Sequence, residues 1–368
     1  MLNTTLKTFI WIAVLLVSAP VFSASSEGGE EIDVNEMIMH HIKDAHEWHI
    51  ITLEDENGND NHVSIPLPII LIDNGLQVFS SSTLYHDAEE IPVTTEEGKE
   101  EHYLANTALG YGVYHENIYN LNESGELDFH EGYPTNAAPL DFSITKNVFT
   151  LLFSAVLLFF LMRAVAKSYK NEGMHTPRGL ARFIEPIVVF VRDDIAIANI
   201  GEDKYKKYMP FLLTSFFFIL INNFLGLVPI IPGGANLTGN ISFTLTLASF
   251  TLLITLFSGN KQYWKHIFAA PGVPKALLPI MIPIEIIGIF TKPFALMVRL
   301  FANITAGHII VLSLVGIIFT FGSVAWGGLS VPMALFINVL ELLVAFLQAF
   351  IFTMLSALFI GGAVGEHH

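Results

Sequence analysis

Five ionisable side chains stand inside the two most apolar stretches of the chain: Glu285, Lys292, Arg299 and His308 in 276–321, and Glu341 in 328–362. A charge at the centre of a membrane helix costs about 2.5–3.5 kcal/mol on insertion scales, so such residues mark ion pathways or ion pairs. Glu285, Lys292 and Arg299 recur every seven residues. At 100° per residue that leaves an offset of about 20°, so the three share one helical stripe, with steps of about 10 Å that are too long for direct pairing. The helical neighbours of Arg299 are short: Ala295, Ala302, Asn303 and Ala306. Short side chains let another helix approach closely, and an arginine keeps its charge at any physiological pH. The stripe therefore presents a permanent cation to whatever passes beside it.

His308, nine residues beyond Arg299, falls on the opposite face and is expected to face Glu341. By the same arithmetic Asn338, Glu341, Ala345 and Gln348 form one stripe of the last stretch. A histidine and a carboxylate both titrate, so the pair reads as a proton relay or as an ion pair joining two helices. Lys292, next to Pro293, reads equally as a packing or a channel residue. Asn222 and Asn223 read as interhelical glue.

The elements that position these residues are membrane helices. The chain has 368 residues, 52% apolar and 14% charged, with a mean hydropathy of +0.54. Residues 208–260, 309–340 and 342–365 contain no Asp, Glu, Lys or Arg, and about 20 such residues cross a bilayer. Spans are expected at 147–162, 208–231 and 241–257, followed by two long helices at 276–321 and 328–362. The first of these long stretches, 46 residues, would reach about 69 Å as a helix, twice what an upright span needs, so strong tilt is expected. An amphipathic segment at 176–199 is expected to lie along the inner surface.

Residues 1–24 resemble a secretory signal, with Lys7 before an apolar stretch and small residues at Ser23, Ala24 and Ser25; a retained anchor helix is the alternative. Residues 25–145 hold 25 acidic and two basic residues, which argues against nucleic acid as a partner. Turn signals and alternating apolar runs at 62–73 and 76–80 predict a small, mostly β domain, with a helix at 34–48. His46 and His49 would share a face of that helix at a spacing that can hold Zn²⁺ or Cu²⁺, although a solvated polar helix is the plainer reading. The acidic surface is alternatively a device for concentrating cations. No cysteine is present, so thiolate chemistry is excluded. Lysines and arginines cluster after span one, before span two, after span three and before the fourth segment. By the positive-inside rule this puts 25–145 on the outer side of the membrane and the C-terminus on the inner side.

The run from Pro293 to His308, with Arg299, Asn303 and Gly307 inside it, resembles the signature of subunit a of F-type ATP synthases. The stretch from Leu342 through Gln348, and Asn223 through Pro229, are similar to that family's last helix and second span. The resemblance covers about 145–368. It implies an α-helical polytopic fold: one span, a surface helix, a two-span hairpin and two long tilted helices, preceded here by the small β domain. It also implies a stator without cofactors and with no catalysis of its own, working with a ring of c-subunits, b-type peripheral stalk subunits and the other synthase subunits in a lipid bilayer. Arg299 would then face the rotor carboxylate, with Glu285, Asn303, His308, Glu341 and Gln348 at channel and helix-pair positions. Asn223, Lys292 and Asn338 are further packing or channel positions. An ion-coupled secondary transporter is the alternative, but 145–257 and 258–368 show no internal repeat.

Overall fold

A computed structural model of the chain describes residues 43–54, 60–73, 75–94, 100–172, 179–228, 233–269, 274–321 and 324–365. The signal-like segment and most of the helix expected at 34–48 lie outside them. The described residues fall into two compact units, 43–150 and 151–365.

The first unit is built from antiparallel strands. Strands β1 (Glu47–Glu54) and β2 (Asp60–Pro66) pair as a hairpin; β3 (Pro68–Ile72) lies between β4 (Leu76–Ser80) and β11 (Leu140–Asp141). A short helix, α1 (Ser81–Tyr85), leads to the meander β5 (Glu89–Thr94), β6 (Glu100–Asn106), β7 (Tyr111–Tyr114) and β8 (Asn117–Asn120); β9 (Phe129–His130) and β10 (Tyr133–Pro134) form a small pair. Ile69, Leu71, Leu84, Tyr111, Val113 and Ile118 make its core.

Two expectations are corrected here. The run 62–73 is two strands, because Pro66 and Pro68 cannot donate to a ladder. The amide of Leu67 between them leaves the ladder and donates to Ser81 Oγ at 3.0 Å. Pro68 sits at the first position of a strand that is central in its sheet. The end of the helix expected at 34–48 is extended instead: Glu47 and Trp48 open β1. The side chain that would have continued that helix caps another. Asp44 accepts from the Asn147 amide at 3.0 Å and from Thr145 Oγ1 at 2.9 Å, at the start of α2 (Lys146–Glu172). A carboxylate there satisfies an orphan amide and complements the helix dipole.

The second unit holds most of α2, then α3 (Leu180–Phe190), which runs on through a π-helical stretch at Val191–Ile197 to Ile200. After it come α4 (Tyr205–Leu227), α5 (Ile241–Ser258), the short α6 (Lys261–Phe268), α7 (Leu278–Thr320) and α8 (Gly327–Val364). Among the described residues five helices, α2, α4, α5, α7 and α8, are long and apolar enough to cross a membrane. The protein is a polytopic helical membrane protein carrying a small β domain. The two last helices are continuous: 43 and 38 residues, or about 64 and 57 Å against a hydrocarbon core of about 30 Å. Pro283 and Pro293 do not interrupt α7.

Helix α4 is deeply packed, with Leu212, Phe216 and Ile219 fully buried. Helix α8 packs through small residues: Ala345, Ala349, Ser356 and Ala357 are all inaccessible. At Gly361 any Cβ would strike the carbonyl of Asn199, so glycine is what lets α8 meet the end of the α3 segment. The last carbonyls of α8 are capped by other elements. Lys204 Nζ donates to Val364 O at 2.9 Å, the Asn260 amide to Ala363 O at 3.0 Å, and Asn260 Nδ2 to Gly365 O at 2.9 Å. A cation at a helix C-terminus also complements its dipole.

Candidate functional site

Helices α7 and α8 form an antiparallel pair with a readable register. His308 lies against Glu341, and sixteen residues back along α7, Lys292 Nζ sits 5.7 Å from the centre of the Phe359 ring, eighteen residues further along α8. Arg299 lies between these two points, within about one turn of the level of Gln348.

On α7, Leu296, Leu300 and Ile304 are buried at spacings of four and turn the opposite face outward. That face carries Arg299, Ala295, Ala302, Asn303 and Ala306, all exposed. Among the described residues Arg299 has no hydrogen bond and no ion pair. An exposed guanidinium near the middle of a membrane helix needs an anion from elsewhere, because lipid offers none.

Toward the C-terminal end of α7, His308 Nδ1 stands 3.1 Å from the Ile304 carbonyl of its own helix and 3.8 Å from Glu341 Oε1. Both side chains are nearly buried, 12% and 14% exposed. The backbone of Gly226 on α4 also faces the ring. Sequence reasoning placed Gly307 in the Arg299 run but missed its contact with Glu341. A Cβ there would overlap Glu341 Oε1 and come within 2.8 Å of its carboxyl carbon. The physical signal for that contact was a glycine inside a helix, where it costs about 1 kcal/mol relative to alanine. The turn at Leu237–Gly239 packs near this end, with Thr305 Oγ1 3.4 Å from the Gly239 carbonyl. Asn236 at its start keeps a buried amide nitrogen without a partner among the described residues, the kind of group that ordered water satisfies.

Toward the N-terminal end of α7, Glu285 is half-buried. Its neighbour is Tyr263 of α6, whose hydroxyl is pushed up by burial and by the Glu285 carboxylate. Glu285 and His308 lie about 21 Å and 13 Å from Arg299 along the axis, on either side of it. The polar groups of α7 thus form two clusters on either side of Arg299.

The remaining predicted residues divide. Lys292 is engaged at the α7–α8 seam by its cation–π contact. Asn223 Nδ2 donates to the Ala345 carbonyl at 2.9 Å, joining α4 to α8. Gln348 is buried, and Asn338 is half-buried one turn before Glu341. The stripe predicted on α8 therefore changes character: a polar half at Asn338 and Glu341, and a packed half at Ala345 and Gln348.

His46 and His49 do not share a helix face, because His46 precedes β1 and His49 lies within it. His46 is 2% exposed and bonded through Nε2 to Asp141 Oδ2 at 3.4 Å and through Nδ1 to the Tyr85 hydroxyl at 3.3 Å. No group of three or more potential metal ligands occurs among the described residues. Burial works to raise the Asp141 carboxyl, but the hydrogen bonds from His46 and Ser143 outweigh it and hold the group below its ordinary value. Burial, reinforced by Glu116, pushes the Tyr85 hydroxyl far up.

Residues 148–361 match the family model of the ATP synthase A chain, and residues 37–142 match a family described as a domain of unknown function (DUF8433). The chain is 52% identical over 236 residues to ATP synthase subunit a 2 of Chlorobaculum tepidum, covering 62% of this chain and 65% of that protein. It is 51% identical over 267 residues to ATP synthase subunit a of Chlorobium phaeobacteroides strain BS1, covering 68% and 76%. It is 43% identical over 315 residues to that of Pelodictyon phaeoclathratiforme, covering 81% and 90%. The chain thus spans just under two thirds of the first of these relatives and nine tenths of the third. With its seven-residue charge stripe, its paired long helices and these matches, the chain belongs to the ATP synthase A chain family.

Proposed function

We propose that this chain is the membrane stator of an ATP synthase Fo sector, passing ions to and from a rotating ring of c-subunits while other subunits make ATP. The observation that carries the reading is the position of Arg299: exposed, unpaired among the described residues, flanked by alanines, and between two polar clusters on α7. A rotor carboxylate is stable when ionised beside Arg299 and when neutralised in lipid, and each reverse combination is costly. The ring therefore turns only if an ion leaves at one cluster and enters at the other. Asn338, Glu341 and His308 would line the path to the outer side and Glu285 the path to the inner side, with Asn303 beside the cation and Gln348 behind it. The basic loops support an inner location for the C-terminus and an outer one for the β unit. The continuity of α7 and α8 disfavours a secondary transporter, whose midplane sites are formed by broken helices.

The test is Arg299→Ala in inverted membrane vesicles. ATP-driven pumping is expected to vanish in an assembled complex, and passive ion leak through Fo to rise. Pumping at the wild-type rate would make Arg299 a structural residue and overturn the reading.

A further inference from the structure

The sheet made of β11, β3 and β4 has an inner and an outer face. Ile69 and Leu71 of β3 point into the core and are inaccessible. The register sets the outer face. Leu140, Ile72 and Leu76 stand side by side across the three strands. The Phe142 amide donates to the Ile70 carbonyl at 2.8 Å and Ile70 pairs with Val78, so Phe142, Ile70 and Val78 form a second row. The Ile144 amide donates to the Pro68 carbonyl at 3.0 Å, which adds Ile144 and Pro68 to the same face. Leu140, Ile72, Leu76, Phe142 and Val78 are 45–70% exposed.

The outer face of an antiparallel sheet ordinarily alternates to polar side chains, and an open edge such as β4 is ordinarily blunted with charge. None of these positions carries a charge, although residues 25–145 hold 25 acidic side chains. The acids lie elsewhere: Glu89, Glu90, Glu100 and Glu101 are on β5 and β6. An exposed apolar patch of this kind marks a contact with a protein or a membrane.

Continuity and size favour the membrane. Lys146, the first residue of the span α2, follows Phe142 by four residues, at most about 14 Å of chain. The start of that span is fastened to the β unit. Its Lys146 amide donates to the Ala45 carbonyl at 3.1 Å, Asp44 accepts from the Asn147 amide, and the Phe149 ring meets Trp48 edge-on at 5.3 Å. The patch is therefore held within reach of the leaflet that α2 enters. Its outermost positions are about 10 Å apart across the strands and about 14 Å along them. With side chains overhanging by about 4 Å on every side it covers about 400 Å², half of the roughly 800 Å² that each partner gives to a standard protein interface. A lipid surface sets no such minimum. A charge-free face also lets a strongly acidic unit touch lipid without burying a carboxylate.

We propose that the outer face of the β11-β3-β4 sheet is a membrane-docking surface. Its apolar side chains sit in the headgroup–acyl boundary of the leaflet that α2 enters, as those of an interfacial helix do. The site needs only that α2 crosses the membrane, and is independent of Arg299 and of the ion path.

The experiment uses the assembled complex in vesicles of phosphatidylethanolamine and phosphatidylglycerol. This chain has no cysteine, so Val78→Cys, Leu140→Cys and, as a reference on the acidic meander, Glu90→Cys are spin-labelled one at a time, with the unsubstituted complex as background. Electron paramagnetic resonance then compares collisions with oxygen, which partitions into lipid, and with a water-soluble nickel chelate. Labels on Val78→Cys and Leu140→Cys are expected to favour oxygen, and the label on Glu90→Cys to favour nickel. A preference for nickel on the face would mean that it is open to water and would overturn the proposal. Low access to both reagents would mean that protein covers it, another subunit or another segment of this chain, and would overturn the lipid assignment. Adding Leu76→Asp and Leu140→Asp to Val78→Cys should move its label from oxygen toward nickel. Both aspartates replace exposed side chains, and unchanged hydrogen exchange of β6 and β7 would show that the unit stays folded. An unaltered oxygen preference in that folded variant would mean that this face does not drive docking, and would also overturn the proposal.

Discussion

His46 in the β unit and His308 in the helical unit are both buried, yet they are held in different ways. His46 is bonded on both ring nitrogens to side chains from distant strands and helices, Asp141 and Tyr85. His308 is bonded to a carbonyl of its own helix, and its carboxylate neighbour Glu341 stands at 3.8 Å, beyond a good hydrogen bond. The first arrangement is a closed tie. The second leaves two titratable groups adjacent without a direct hydrogen bond between them. The arginines repeat the contrast: Arg192 is forked onto Asp193, whereas Arg299 has no partner among the described residues. Satisfied polar groups hold a fold together, and unsatisfied ones at membrane depth require a second molecule. That distinction separates the architectural histidine and arginine from those assigned to ion transfer.

The comparison can be broken at Gly307. Gly307→Val places a branched carbon where the Glu341 carboxylate now sits, and ATP-driven pumping in vesicles should fall by at least about ten-fold, since small misplacements of reacting groups carry large rate costs. Gly307→Ala should do the same more weakly. Wild-type pumping in the valine variant would mean that the Glu341 position is immaterial.

A smaller effect is expected in the β unit, and of a different kind. Asp141→Asn weakens the tie to His46, costing about 1–3 kcal/mol, while pumping stays at the wild-type rate. The pH dependence has a definite sign. The Asp141 carboxyl is lower in the folded than in the unfolded chain. Its contribution is therefore complete above the ordinary carboxylate value and lost as pH falls through the lowered one. Hydrogen exchange of β6 and β7 amides in the full chain, followed from neutral to acidic pH, should show protection falling in that window, and Asp141→Asn should flatten the fall. Equal loss of protection in wild type and variant would remove Asp141 from the account.

The helical unit was far more legible in the sequence than the β unit, for a physical reason. Helix periodicity is local, so the stripe of Glu285, Lys292 and Arg299, and the placing of His308 on the face opposite Arg299, follow from counting at 100° per residue. What counting could not reach is contact between elements far apart in the chain. Gly307 matters because of a carboxylate 34 residues away on another helix. In the β unit, His46 and His49 have a spacing compatible with a helix face, but partners 39 and 95 residues away fix His46 in extended chain. Pro66 and Pro68 warned of a broken ladder without showing that Leu67 would turn to Ser81. The short helix α6, capped by Asn260, read in sequence only as a basic loop.

The central claim is that Arg299 separates two polar clusters that open to opposite sides of the membrane. The chain has no cysteine, so single cysteines report without background. Glu285→Cys and Asn338→Cys, each in the assembled complex, would be treated with a membrane-impermeant thiol reagent from one side and then from the other. The account predicts that Asn338→Cys is labelled only from the side of the β unit and Glu285→Cys only from the side of the C-terminus. Labelling of both from the same side, or of either from both sides, would contradict it.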